Sequence, residues 1–481
     1  VTLLRNLMLL DGGCVDVALH GGVIASIAPA QGAADRLLIP GLINAHTHGH
    51  ANLMKGVADR WLLESSLTHG PWMGGQRDAA TIRFSTLLGA AEMLEAGCTA
   101  CFDLFFEFPM PSAAGLLAAA EAYAEAGMRA VIAPMVADRT LFEAIPGLLD
   151  ALPEDLRAQA ARFRLPDAPT LLAALHEAFA IIPDLPPGIT LALAPTIPHH
   201  CSDAFLAGCR AMADEFGLRL HTHAAESKLQ ALVARRLWGT GPVAHLDRHG
   251  LIGPHFTAAH AIWLDEGELD LLARRGASIA HMPASNLRLG NGVAPVAEWR
   301  ARGIATGLGT DGCNSADSLD MFEAMRSAAN LSRIRDVPRA DWLHAAAVHA
   351  MATAGSAAVL GHAAPRIAVG APADLVLLRL DHHAFVPLHD AATQIATGNA
   401  AGAVAEVFVA GRQVVRDGRC IATSGLDLRA LSAAALADLT PRLAPSRALA
   451  MALEPHVADF AEYQSRAPLP FTRKLPTEHA A

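Results

Sequence analysis

Eight short apolar segments run through the middle of the chain, most followed by a loop and an alanine-rich helical pattern, and few folds can use that rhythm. The strand cores read as Leu38–Ala45, Thr99–Leu104, Arg129–Met135, Thr190–Ala194, Leu218–Thr222, Phe256–Ala259, Ser278–His281 and Ile304–Gly309. Stretches such as "DAATIRFSTLLGAAEMLEAG" and "LDEGELDLLARRG" supply helices between them. Strands alternating with helices pair in parallel, and eight such units close most economically into a (β/α)8 TIM barrel. The third connection is unusually long, and "RTLFEAIPGLLDALPEDLRAQAARFRLPDAP" reads as an inserted helical segment with a proline-rich return.

The two ends differ from this centre. Residues 1–36 and 366–425 read as short strands with glycine turns, which predicts one small β-sandwich built from both termini. Residues 37–365 form the barrel, and residues 426–481 read as a helical segment followed by a polar tail. The composition fits a large aliphatic core, at 52 % hydrophobic, 17 % charged and only 5 % aromatic residues. A net charge of -10 and only three lysines (Lys55, Lys228, Lys474) argue against a nucleic-acid or polybasic membrane partner. No apolar run reaches the ~18 residues of a membrane span, and the start lacks a signal-peptide pattern. Seven scattered cysteines suit reduced thiols, so a cytoplasmic location is expected. Cys98 and Cys101 form a lone C-x-x-C inside an apolar strand, and read as buried small residues.

Barrel enzymes place their chemistry at the C-terminal ends of the strands. His46 and His48 end the first strand, followed by His50. In an extended chain, positions i and i+2 point the same way, so H-x-H aims two imidazoles at one point. His221 and His223 end the fifth strand with Glu226 close behind, His260 ends the sixth and Asp311 the eighth. Histidines and a carboxylate from separate strand ends facing one mouth make a zinc-type site, one that iron or manganese also suits.

The segments "PGLINAHTHGHANLMKG", "LHTHAAES", "AAHAIWL", "HMPASNLRLGNGVAPV" and "LGTDGCNSADSLDMFEAMR" resemble the amidohydrolase superfamily. The closest likeness is to the branch of S-adenosylhomocysteine and methylthioadenosine deaminases, guanine deaminases and triazine hydrolases, and it runs from about residue 3 to 420. It implies one metal ion held by His46, His48, His223 and Asp311. His223 is preferred to His221 because the family's ligand lies three residues before its catalytic glutamate. It also implies that Glu226 shuttles protons, that His260 orients the attacking metal-activated water, and that Asp311 accepts from it. The implied reaction turns an amino-substituted N-heterocycle into its carbonyl form with release of ammonia. Relatives pair or form tetramers, so the resemblance implies a homo-oligomer. Ser285 and Asn286 read as braces of the ligands, Asn314 and Ser315 as shapers of the last loop, and Ser318 as a helix cap.

The substrate-reading positions depart from the adenosine-type pattern. Thr196 stands where those deaminases have a histidine, Pro134 where they have an arginine, and Gly75 or Gln76 where their first loop supplies a glutamate. Specificity is therefore expected at Arg139, Thr196, His199 and His200. An aromatic wall of Trp61, His69 and Trp72, with Asn286 nearby, completes the candidate substrate contacts. Two alternatives stand beside the deaminase: hydrolysis of a chloro-triazine or cyclic amide, and a non-catalytic scaffold, which predicts eroded ligands.

Overall fold

The computed structural model describes residues 1–335 and 337–473; the end of the expected tail, 474–481 with Lys474, lies outside the described residues. The N-terminal strands are β1 (Thr2–Met8), β2 (Cys14–His20), β3 (Val23–Pro29) and β4 (Arg36–Pro40). The central strands are β5 (Leu42–Thr47), β6 (Cys98–Phe105), β7 (Arg129–Val136), β8 (Ile189–Leu191), β9 (Ala194–Pro195), β10 (Leu220–Ala224), β11 (Phe256–His260), β12 (Ser278–His281) and β13 (Ala305–Leu308). The C-terminal strands are β14 (Leu375–Arg379), β15 (Val404–Val409), β16 (Arg412–Arg416) and β17 (Arg419–Cys420).

Strands from both ends share one mixed sheet, in the order β17-β16-β15-β14-β4-β1-β2-β3. β4 and β14 join the two termini in antiparallel register, with Ile39 opposite Val376. This sheet encloses its own core of Leu7, Val17, Ile24, Leu38, Leu375 and Leu377.

The central strands pair in parallel as β5-β6-β7-β8 and β10-β11-β12-β13, with β9 beside β7. Backbone bonds close the ring at both seams. His221 N donates to Leu193 O (3.1 Å) on one side, and Asp311 N donates to His46 O (3.0 Å) on the other. The barrel interior is lined by small residues, among them Ala45, Ala100, Ala133, Ala192, Ala259 and Ala280, with Phe102 and Met282 filling the rest. Small interior side chains of this kind are what an alanine-rich, aromatic-poor chain supplies.

The single strand expected over Leu38–Ala45 is two strands. Its first half, β4, belongs to the mixed sheet, and the chain crosses to the barrel at Gly41. A Cβ there would lie 2.3 Å from Thr99 Oγ1, so only glycine fits the crossing. The helix expected to be capped by Ser318 is capped by Asp320, whose side chain accepts from Phe322 N at 2.8 Å; Ser318 instead accepts from Asp320 N. Cys98 and Cys101 are buried in β6 and free. One helical run, Arg339–Leu360, is long and apolar enough by composition to cross a membrane, but half of it is buried. Its Ser356 hydroxyl accepts from Leu308 N of the barrel at 3.1 Å.

The segment after residue 426 is one long helix, Leu428–Gln464. It lies across the barrel mouth against the first-loop helix Leu63–Met73 and the insertion after β7, through Leu439, Leu443, Leu453 and Val457.

Candidate metal centre and active site

At the C-terminal ends of the strands, six side chains converge: His46, His48, His223, Glu226, His260 and Asp311. His46 Nε2 lies 3.2 Å from His48 Nε2, and Asp311 Oδ1 lies 3.2 Å from His48 Nε2 and 3.7 Å from His46 Nε2. His260 Nε2 is 3.8 Å from Asp311 Oδ2 and 3.4 Å from Glu226 Oε2. His46, His48 and His223 offer nitrogens within 4.8 Å of one another, as do His46, His260 and Asp311 through their ligand atoms. All of these residues are buried.

Each imidazole is oriented by the partner of its other nitrogen. His48 Nδ1 donates to Leu104 O at 2.9 Å, His223 Nδ1 to Thr196 O at 2.8 Å, and His260 Nδ1 to Asn286 Oδ1 at 2.8 Å. A ring that spends its Nδ1 proton on a carbonyl keeps a lone pair on Nε2, the atom aimed inward. His260 Nε2 is buried with no hydrogen-bond partner. His46 Nδ1 meets His221 Nε2 at 3.1 Å, so His221 braces a neighbour from behind. Ser285 Oγ donates to Asp311 Oδ2 at 2.6 Å, and Gly312 N to Asp311 Oδ1 at 2.8 Å. Inward-facing imidazole nitrogens around a fixed carboxylate, one of them (His260 Nε2) without a partner, fit a borderline divalent cation such as zinc.

Burial, with the neighbouring His48 next in size, holds His46 well below the ordinary imidazole range; burial and the charges of His260 and His48 bring His223 down to about 3. Both rings are therefore neutral at neutral pH, the form that binds metal. Glu226 behaves oppositely. Burial, and then the charges of Asp311 and Glu64, push its carboxyl well above the carboxylate range. Asn291 Nδ2 donates to Glu226 Oε1 at 2.9 Å, which leaves Oε2 facing His260.

The backbone is unusual here. His260 and Asp311 sit at φ 63° and 68°, with Ala225 and Ala261 at φ 49° and 50°, left-handed conformations that non-glycine residues rarely hold. They mark the turns where strands β10, β11 and β13 give way to their loops, and such strain concentrates at functional sites.

A cavity of about 270 Å³ opens over these side chains. His48, His50, His223, Glu226, His260 and Asp311 form its floor, and Arg139, Thr196, His200, Asn314 and Ser315 also line it. Five expected contacts, Trp61, His69, Trp72, His199 and Asn286, do not. Trp72 lies outside the lining: its indole N–H donates to His69 Nδ1 at 2.8 Å, His69 stacks on Trp61 with ring centroids 4.1 Å apart, and Arg447 covers Trp72. The three rings hold one another and the C-terminal helix rather than forming a wall. His199 is buried behind His200, and Asn286 is occupied with His260.

Other members were not singled out in the sequence. Asn291, within "NLRLGNG", pins the Glu226 carboxyl. Glu64 accepts from Ser227 Oγ at 2.6 Å and ties the first-loop helix to the segment bearing Glu226. Leu449 and Leu453 come from the far C-terminal helix and Phe142 and Phe163 from the insertion, and nothing in their local sequence announces a cavity wall.

This geometry has counterparts. A model of the amidohydrolase family matches residues 37–414. The chain belongs to the amidohydrolase family. Within it, the chain is 34 % identical over 391 residues to the 5'-deoxyadenosine deaminase of Methanopyrus kandleri, covering 80 % of this chain and 82 % of that one. It is 34 % identical over 417 residues to the 5-methylthioadenosine/S-adenosylhomocysteine deaminase of Nitratidesulfovibrio vulgaris, covering 85 % and 87 %. Among solved amidohydrolases, a zinc-bound adenosine deaminase of Xanthomonas campestris superposes with a TM-score of 0.72 at 29 % identity, over 92 % of this chain and 99 % of that one. The zinc complex of the atrazine chlorohydrolase of Arthrobacter aurescens gives a TM-score of 0.79 at 25 % identity, over 90 % and 99 %. The expected fold, a TIM barrel with a β-sandwich from both termini, is the fold of these neighbours.

Proposed function

We propose that this chain is a mononuclear zinc-dependent aminohydrolase that converts an amino-substituted N-heterocycle to its carbonyl form and releases ammonia. The observation that carries the reading is Glu226: a buried carboxyl, pushed above the carboxylate range by burial and the charges of Asp311 and Glu64, with one oxygen pinned by Asn291 and the other facing the ligand cluster. His46, His48, His223 and Asp311 hold the metal. Bound there, zinc supplies Lewis acidity and a water that ionises near neutral pH.

Glu226 gives a proton to the ring nitrogen beside the carbon under attack, takes one from the water and passes it to the departing amine, and regains its own proton from the added hydroxyl as the carbonyl forms. The carbon gains the water oxygen, the C–N bond breaks, and the nitrogen leaves as ammonia. His260, locked by Asn286, presents Nε2 to the space between Glu226 and Asp311, where it orients the water and stabilises negative charge on oxygen. Ser285 holds the Asp311 carboxylate in place. Strands β8 and β9 carry no lysine to bridge a second metal in the same mouth.

The upper cavity selects the substituent on the ring. Phe142, Phe163, Leu449 and Leu453 make it apolar, and Arg139, Thr196 and His200 are the polar groups that read the heterocycle. The deaminases to which the chain is similar support an aminopurine ring, and the apolar roof supports a substituent with few hydroxyls. The likeness to the atrazine chlorohydrolase keeps a chlorinated or alkylamino triazine as the second reading.

Zinc-loaded protein incubated with aminated purines, pyrimidines, pterins and triazines, with ammonia and chloride both measured, tests the proposal. Ammonia release that Glu226→Gln abolishes is the expected result. Chloride release without ammonia would replace the reading with the second one, and silence across the panel would overturn both.

A further inference from the structure

The barrel mouth is not the only place where imidazoles meet a carboxylate. Beyond β9 the chain reaches Ser202, which caps the helix Asp203–Phe216. Asp203, the first residue of that helix, faces the end of the helix Pro242–Arg248, where His245 and the C-cap residue His249 lie four positions apart. Asp203 Oδ1 is 3.3 Å from His245 Nε2 and 3.5 Å from His249 Nε2, and the three ligand atoms all lie within 4.8 Å of one another.

His245 is only 3 % exposed, and its Nε2 has no hydrogen-bond partner. Its ring is clamped face to face on Trp238, with centroids 3.7 Å apart and an interplanar angle of 3°. Burial first, then the charges of His249, Arg248 and Arg139 against the opposing pull of Asp203, bring it down to about 4, so it is a neutral imidazole at neutral pH. Two donors at ~2.0–2.1 Å from one tetrahedral ion stand about 3.3–3.4 Å apart, which is the spacing of Asp203 from the two histidines.

We propose that Asp203, His245 and His249 form a second transition-metal site, separate from the barrel mouth, that takes zinc or another borderline divalent ion such as nickel or copper. Two imidazoles and one carboxylate favour these ions over magnesium and calcium, which prefer all-oxygen shells. Arg248 and Arg139 add positive charge nearby, so this site is the weaker of the two. The metal would tie the helix after β9 to Pro242–Arg248, the second helix after β10. The same turn already holds the cavity wall, through Ser202 N on Asp138 Oδ1 at 2.7 Å and Arg139 N on His200 O at 3.0 Å. The site is therefore a brace behind Arg139 and His200.

Zinc titration of metal-stripped full-length protein, followed by direct metal analysis and thermal melting, tests this. Wild type is expected to take two zinc ions per chain, the second more weakly, with a rise in Tm as the second binds. His249→Ala and Asp203→Ala, at partly exposed positions outside the cavity, are expected to take one ion and to lose that rise in Tm. Retention of the tight first ion shows that each variant is folded. A single ion in wild type, leaving only an ion pair between Asp203 and the histidines, would overturn the proposal. Two ions in both variants would do the same, because the second metal would then lie elsewhere.

Discussion

The floor and the roof of the cavity are built on different principles. Every floor residue sits at or just beyond a barrel strand end, and most are held by a hydrogen bond to a neighbouring strand or loop: His48 to Leu104, His223 to Thr196, Asp311 to Ser285. The roof is assembled from three segments far apart in sequence, the first-loop helix, the insertion after β7 and the C-terminal helix, joined by apolar packing. Directional bonds specify atom positions, whereas apolar packing specifies volume and shape. In the proposed reaction the floor carries the chemistry and the roof the choice of substituent.

The comparison can be broken at several points. The largest effect is expected from Glu226→Gln. It removes the transferable proton but keeps the shape, so kcat should fall by about 10²–10⁴-fold with zinc content unchanged. Equal loss of zinc would place Glu226 among the ligands instead. Next comes Asn286→Ala, which frees the His260 ring and should lower activity or metal affinity by about 10–100-fold, read by kinetics and metal analysis. A variant as active as wild type would show that the floor is not held from behind.

In the roof, Leu453→Ala should change kcat/KM by about tenfold among substrates that differ in their apolar substituent, with little change in kcat for the smallest ring. Uniform loss across substrates would mean that the roof serves the chemistry as well. The smallest effect is expected from Ser65→Ala, which removes the hydrogen bond from Ser65 Oγ to Glu454 Oε1 (2.7 Å) on the C-terminal helix. It should lower stability by about 1–2 kcal/mol in a denaturant melt and hasten proteolysis of that helix.

The floor was legible because strand geometry is periodic. H-x-H at the end of an apolar run puts His46 and His48 on one face whatever surrounds them, whereas the preference for His223 over His221 came from the family resemblance and not from strand geometry. The structure then gave His221 a place behind His46 and Asn286 a place behind His260. The surroundings of Trp72 were not legible, because an indole beside a loop looks the same whether it faces a cavity or a neighbouring helix; here it packs against Arg447 and His69. The break at Gly41 was hidden because both halves of the apolar run Leu38–Ala45 are buried, one in each sheet.

By itself, then, the sequence determined the alternation of strand and helix, the strand-rich character of both flanks and the metal-capable residues that end the strands, since all of these follow from local periodicity and short spacing. Only the tertiary structure decided which side chains enclose the substrate. The helix Leu428–Gln464 reaches the cavity with Leu449 and Leu453 because it packs on residues more than 250 positions earlier. No local pattern encodes a contact over that separation; it exists only once the apolar faces have found each other.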